Sequence, residues 1–311
     1  MRRQGWHARP TGKDEKKPLL PPVHVIAASG RSGRALCQSL IAAGRPLVPV
    51  VRRGSRWQAT GATVPARVAD LNDPAALRAA LSDATVIVSC AHASFAASVV
   101  AAAPAGARLV LLGSTRKFTR WPDAPGKAVL AGEAAFLRAG RPGVMLHPTM
   151  IYGAPGAAEE NVHRLAAVLA RLAVLGRPVV PLPGGGRALI QPIYQDDVTH
   201  ALRAAIEHPW EAAETLVIAG PAPLRYADFV RAVAAAAGLP RPRILPLSLP
   251  LLRMLAPLAR AIPGLPRVGP DEIRRLGEDR AFDIAPARRL LGFDPIPLVE
   301  GLARSFGSRA G

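Results

Sequence analysis

Val23-His24-Val25-Ile26-Ala27-Ala28-Ser29-Gly30-Arg31-Ser32-Gly33 is the stretch from which the rest of the chain is best read. The first four residues fit a short buried strand. A turn of small residues follows, then a helical stretch to Ala43 that Gly44 stops. The first turn of a helix presents unpaired N–H groups and a partial positive charge. A turn without bulky side chains lets phosphate oxygens reach those groups, and Arg31 and Arg34 add positive charge.

Outward from this turn, strand signals at 46–51, 66–68, 86–89 and 109–112 alternate with helical signals at 75–81 and 95–103. Alternation of this kind predicts an α/β fold with a doubly wound parallel sheet. Right-handed crossovers then place the ligand crevice at the carboxyl ends of the strands. After Gly153 the pattern is less regular. It predicts helices at 161–175, 198–206 and 226–237, a strand at 216–219, a Pro/Gly-rich loop at 178–187, and a loop and helix packed on the body at 244–262. The expected organisation is a basic flexible tail over 1–21, a Rossmann domain over 22–154, and a smaller substrate lobe over 155–311. Segments near 188–220 return from that lobe to the Rossmann core.

Half of the 311 residues are hydrophobic, enough for a sizeable core, so disorder of the whole chain is excluded. Forty Lys and Arg against 22 Asp and Glu leave a net charge of +18, which favours anionic partners in general. Specific nucleic-acid binding is not expected, because aromatic residues make up only 5% and no basic stripe is interleaved with stacking rings. The two cysteines, Cys37 and Cys90, cannot form a disulfide framework, which fits a reduced, cytoplasmic protein. No uncharged apolar run is long enough to span a membrane. The seven histidines include no i, i+4 pair and no His-Glu-x-x-His, so no metal is expected. Gly113-Ser114-Thr115-Arg116 is not the Gly-x-Ser-x-Gly elbow of a hydrolase.

The chain resembles the short-chain dehydrogenase/reductase superfamily, most of all its extended or atypical branch of NAD-dependent epimerase/dehydratase-like proteins. The resemblance runs from about Val23 to Leu302. Ala27, Ser29, Gly30, Arg31, Ser32 and Gly33 match the cofactor loop, with Ala27 at the first glycine position. Asp70 and Leu71 match the pair that contacts adenine, and Cys90, Ala91 and His92 fall beside the nicotinamide ribose. His147-Pro148-Thr149-Met150-Ile151-Tyr152-Gly153 resembles the family's Arg-Pro-x-x-Val-Tyr-Gly, so His147, Pro148 and Met150 are expected beside the nicotinamide. At the end of the second strand, Arg52 and Arg53 stand where an acidic residue would bind the ribose of NAD. They point to the 2′-phosphate of NADP, with NAD still possible.

In this superfamily a Tyr four residues before a Lys acts as acid and base, and a Ser or Thr orients the substrate oxygen. Position +4 from each of the three tyrosines is Gly156, Val198 or Val230, so the dyad is absent. Matching Glu133 to a family Glu fourteen residues before the Arg-Pro segment puts Pro125 and Val129 in the dyad's places. Ser114 and Thr115 are the expected catalytic hydroxyls. Lys127, two residues out of register, is a candidate proton donor alongside Tyr194, Glu133 and water. For substrate binding the candidates are Asn161, Arg187, Gln191 and Tyr194; Asn161 reads equally as a helix cap and Arg187 as an exposed loop residue. Two functions follow: an atypical NAD(P)-dependent oxidoreductase, epimerase or dehydratase acting on a small carbonyl or nucleotide-sugar-type substrate, as a monomer or homodimer, or a non-catalytic NADP(H)-binding regulator or scaffold.

Overall fold

A computed structural model describes residues 20–55, 57, 64–121, 123–153, 161–174, 176, 178–259 and 270–307. The tail expected over 1–21 lies outside them for residues 1–19. In chain order the first half runs β1 (Val23–Ile26), α1 (Arg31–Ala42), β2 (Leu47–Val51), β3 (Arg67–Val68), α2 (Pro74–Leu81), β4 (Val86–Ser89), α3 (Ala96–Ala102), β5 (Arg108–Leu112), α4 (Ala124–Ala139) and β6 (Gly143–Pro148). Then come β7 (Ile151–Tyr152), α5 (Asn161–Ala173), β8 (Val179–Pro183), β9 (Leu189–Ile190), β10 (Ile193–Tyr194), α6 (Gln195–Glu207) and β11 (Ala213–Ile218). The remainder is β12 (Leu224–Arg225), α7 (Tyr226–Ala236), β13 (Arg243–Leu247), α8 (Leu249–Ala259), α9 (Pro270–Arg275), α10 (Ala285–Leu291) and α11 (Leu298–Gly307).

Seven strands form one parallel sheet in the order β11-β6-β5-β4-β1-β2-β3. Strands such as Val86–Ser89 are apolar at nearly every position because helices cover both faces. On one face α1 and α6 pack Leu36, Cys37, Leu40, Val198, Leu202 and Ile206 against Val23, Val25 and Val88. On the other, α2, α3 and α4 pack Leu77, Leu81, Val99 and Phe136 against Ile26, Ile87 and Leu109. Strand order reverses between β1 and β4, and a doubly wound sheet opens its crevice at that point.

The segment expected as a Pro/Gly loop at 178–187 contains a strand. Val179–Pro183 pairs in parallel with Arg243–Leu247, at the start of the segment 244–262 expected as a loop and helix packed on the body. Pro181, Pro183 and Pro246 break the propensity signal. A two-stranded edge ladder tolerates them, since each strand has only one partner to bond. This ladder and helices α5 and α7 enclose a further apolar cluster that includes Leu169, Leu182, Val230 and Ala234.

Candidate functional site

The loop between β1 and α1 turns on Ala27, whose φ of +57° is the one left-handed non-glycine among the described residues. The Gly30 amide donates to the Ala27 carbonyl at 2.9 Å, closing the turn. A Cβ on Gly33 would lie 2.2 Å from that carbonyl oxygen, so only glycine lets α1 pack this close to the loop. Gly30, the N-cap of α1, offers no side-chain cap, and the first turn of the helix holds no acidic residue. Its amide groups therefore face the crevice without competition from the chain's own carboxylates.

A cavity of about 500 Å³ opens at this loop, lined by Ala27, Ser29, Gly30, Arg52, Asp70 and Leu71 on one side and Cys90, Ala91, His92 and Phe95 on the other. Asp70 is tied into its own turn, accepting from the Asn72 amide at 2.9 Å. Cys90 is a thiol whose pKa burial drives up, so it stays neutral beside the cavity. A small-residue cradle, an uncapped helix start and a long crevice at the strand-order reversal suit a dinucleotide.

A second cavity, of about 340 Å³, lies past the end of β5. Ser114, Thr115, Met150, Asn161, Gln191, Tyr226, Glu272, Arg275, Arg280 and Phe282 are among its walls. The Ser114 Oγ accepts from the Arg116 amide at 3.1 Å, and its hydrogen has no acceptor among the described residues. Thr115 donates to the Pro148 carbonyl at 3.2 Å, so its hydrogen is committed to bracing the site. The Nε atoms of Arg275 and Arg280 are buried and have no hydrogen-bond partner among the described residues. Burial lowers the pKa of both guanidinium groups, the mark of cations held out of water. It also raises that of the Tyr226 phenol.

Residues 27–135 match the model of the NAD(P)H-binding family. This segment is an NAD(P)-binding domain. No curated protein matches the chain in sequence. Solved structures do match in fold. A UDP-glucuronic acid 4-epimerase from Bacillus cereus in complex with NAD is 17% identical with a TM-score of 0.68, over 92% of this chain and 98% of the other. A nucleoside-diphosphate-sugar epimerase from Pseudomonas aeruginosa is 20% identical with a TM-score of 0.70, over 93% and 98%. A short-chain dehydrogenase/reductase superfamily protein from Agrobacterium tumefaciens with bound NAD is 16% identical with a TM-score of 0.66, over 93% and 98%. The NAD(P)-binding segment thus sits in a chain whose fold matches these structures over nearly its whole length.

Around the NAD(P)-binding domain the structure sorts the remaining candidates. Arg53 is exposed and Arg31 half-buried, and neither is among the residues that line the crevice. The Ser32 hydroxyl donates to Gln195 at 3.2 Å, holding α1 to α6. Met150 lines the second cavity, and His147 and Pro148 are buried in β6 behind it. Two candidates need correction. Lys127 is exposed on α4, a helix whose buried face carries Val129 and Phe136; the lysine near Ser114 is Lys117. Tyr194 is 7% exposed and lines neither cavity; its ring packs 5.5 Å from that of Tyr152, against Gly153.

Among the substrate candidates, the Asn161 amide donates to the Ile151 carbonyl at 3.1 Å, securing the start of α5 at the cavity wall. Gln191 lines the cavity but spends both ends of its amide, on the Gly220 carbonyl at 2.7 Å and the Phe282 amide at 2.9 Å. Arg187 is exposed in its loop and is not among the cavity's walls. The cations there, Arg275 and Arg280, lie in an arginine-rich stretch, 274–280, whose density is the sequence signal that marks them.

Proposed function

We propose that this chain is an NADP(H)-dependent oxidoreductase, epimerase or dehydratase-like enzyme without a Tyr-Lys dyad, acting on a small anionic carbonyl or nucleotide-sugar-type substrate. The observation that carries the reading is one wall of the second cavity. The Ser114 hydroxyl, whose hydrogen has no acceptor among the described residues, shares this cavity with two half-buried arginines whose buried Nε atoms have no partner among those residues. Ser114 follows β5, the strand next to β4, whose end supplies Cys90 to the cofactor crevice. A substrate anion on Arg275 and Arg280 would satisfy those donors and present its reacting oxygen to Ser114. Loop residues 27–33 would hold the pyrophosphate, and Arg52 the 2′-phosphate that distinguishes NADP from NAD. A bound nicotinamide supplies or accepts the hydride. Ser114 orients the oxygen, Thr115 fixes β5 against β6, and Tyr226, kept protonated by its raised pKa, offers a second donor in the same cavity.

The test couples binding to turnover. NADPH should bind with a fluorescence change. Ser114→Ala should lower turnover of an anionic carbonyl substrate about 100-fold, within the range for loss of one positioned donor or acid–base group, while cofactor affinity changes less than about threefold. Unchanged turnover would remove Ser114 from the chemistry. A second reading, non-catalytic binding of NADP(H), is favoured by Val129, 1% exposed in the place of the dyad's lysine. Tight NADPH binding with no hydride exchange to any anionic carbonyl would select it.

A further inference from the structure

Behind Ser114 lies a cluster that neither cavity uses. His147, on β6 and fully buried, places its Nδ1 3.1 Å from the Ser114 amide and 3.3 Å from the Ser114 carbonyl. Its Nε2 lies 2.6 Å from a Glu133 carboxylate oxygen, from α4, and Lys117 Nζ donates to the same oxygen. The Lys117 and Glu133 side chains are only 10% and 15% exposed. Lys117 comes from the turn Thr115–Phe118, locked by the Arg116 Nε donating to Asp123 at 2.9 Å. The imidazole lies close to Gly113, where any Cβ would sit 2.3 Å from Nδ1.

One tautomer satisfies all of this. With the proton on Nε2 the ring donates to Glu133, and the bare Nδ1 accepts from the Ser114 amide. The charges facing His147 are the Glu133 carboxylate from α4 and the Lys117 ammonium from the turn after β5.

We propose that Lys117 and Glu133 are positioning residues for His147: the Glu133 carboxylate fixes the proton on Nε2, and Lys117, paired with that carboxylate, keeps the ring from taking a second proton, so that its Nδ1 accepts the Ser114 amide and holds the Ser114 hydroxyl against the second cavity. The role given to Ser114 rests on the reading above; the state of His147 does not. Burial and the Lys117 charge push the His147 pKa down to about 4, against the pull of Glu133. Without Lys117 the carboxylate faces the imidazole alone and favours its protonated form. An imidazolium carries a proton on Nδ1 as well, so the ring must release the Ser114 amide and turn to the Ser114 carbonyl.

The experiment uses the full chain with 13C-labelled histidine and 15N-labelled serine, titrated by NMR from pH 5 to pH 8. The His147 and Ser114 signals are assigned by their loss in His147→Gln and Ser114→Ala. In the wild type His147 stays neutral throughout. In Lys117→Met its proton affinity should rise at least about tenfold, equivalent to one pKa unit, and the Ser114 amide should shift along the same curve. Lys117→Arg should restore the flat profile, which a packing defect at residue 117 would not predict. A His147 that stays neutral in Lys117→Met, or titrates without moving the Ser114 amide, overturns the proposal. If Lys117→Met does not fold, Lys117→Gln at the same position is read by the same criteria. Absence of NADPH binding would sink the function proposed above and leave these titrations standing.

Discussion

Arg52→Ala is the most direct probe of cofactor choice. Arg52 follows β2 and shares the crevice wall with the Ala27–Gly30 turn on one side and Asp70 and Leu71 on the other. The acid that would favour NAD is absent from this position, and Asp70 is held in its own turn by the Asn72 amide. Arg52 is exposed, so its attraction to a 2′-phosphate is screened. Opposite unit charges 4 Å apart are worth about 1 kcal/mol in water and about 4 kcal/mol near a protein surface. A value of about 2 kcal/mol fits a half-screened contact, and at 1.4 kcal/mol per tenfold it predicts NADPH affinity falling about 30-fold. NADH, which lacks the phosphate, should lose less than about threefold. Arg53, exposed and off the crevice wall, should matter less for both. Fluorescence titration of each coenzyme at low and high salt measures this directly, and the NADPH penalty should shrink as salt rises. Equal losses for NADPH and NADH would refute the assignment of Arg52 to the 2′-phosphate.

Two further substitutions probe strain and burial. Ala27→Gly should raise stability by about 0.5 kcal/mol in chemical denaturation: relief of a left-handed alanine is worth roughly 1–2 kcal/mol, offset by the added freedom of glycine in the unfolded chain. A loss of stability would mean that the alanine methyl packs better than its φ suggests. Asp197 is 3% exposed and burial raises its pKa from 3.8 to about 6, so the folded protein binds the extra proton between those values. Stability is then greatest below pH 4 on this group's account and falls as pH rises towards 6. Asp197→Asn, whose side-chain oxygen can still accept the Ile296 amide, should flatten that slope and raise the melting temperature at pH 7.5 by about 5 °C; an unchanged slope would place the pH dependence elsewhere.

The parallel sheet was legible because its strands are apolar at almost every position and its turns carry small residues. The strand over 86–89 has the bounds its apolar run predicts, and the helix before Gly44 ends where glycine takes φ of +63°. Arg52, Asp70 and Cys90 were legible for the same reason, since each sits at a strand's carboxyl end, where local order dictates position. Proline erased the signal of β8 and β13, because propensity describes a residue alone and the ladder exists only when 179–183 meets 243–247. The same limit hid the pocket's chemistry. The arginine density over 274–280 hints at Arg275 and Arg280, but in a chain with 40 basic residues that hint is faint until folding buries their Nε atoms beside Ser114. Lys117, sixteen residues from Glu133 and thirty from His147, carries no local pattern at all. The sequence contains no Tyr-x-x-x-Lys. What stands in its neighbourhood depends on three strand-end contacts that only the sheet brings together: the turn after β5, the side chain on β6, and the helix between them. Lys117 pairs with the carboxylate of Glu133, and the His147 imidazole, between that carboxylate and the Ser114 amide, faces the turn that carries Ser114. If the proposed function holds, Ser114 is the positioned hydroxyl of this site, and Arg275 and Arg280 select the anion that meets it.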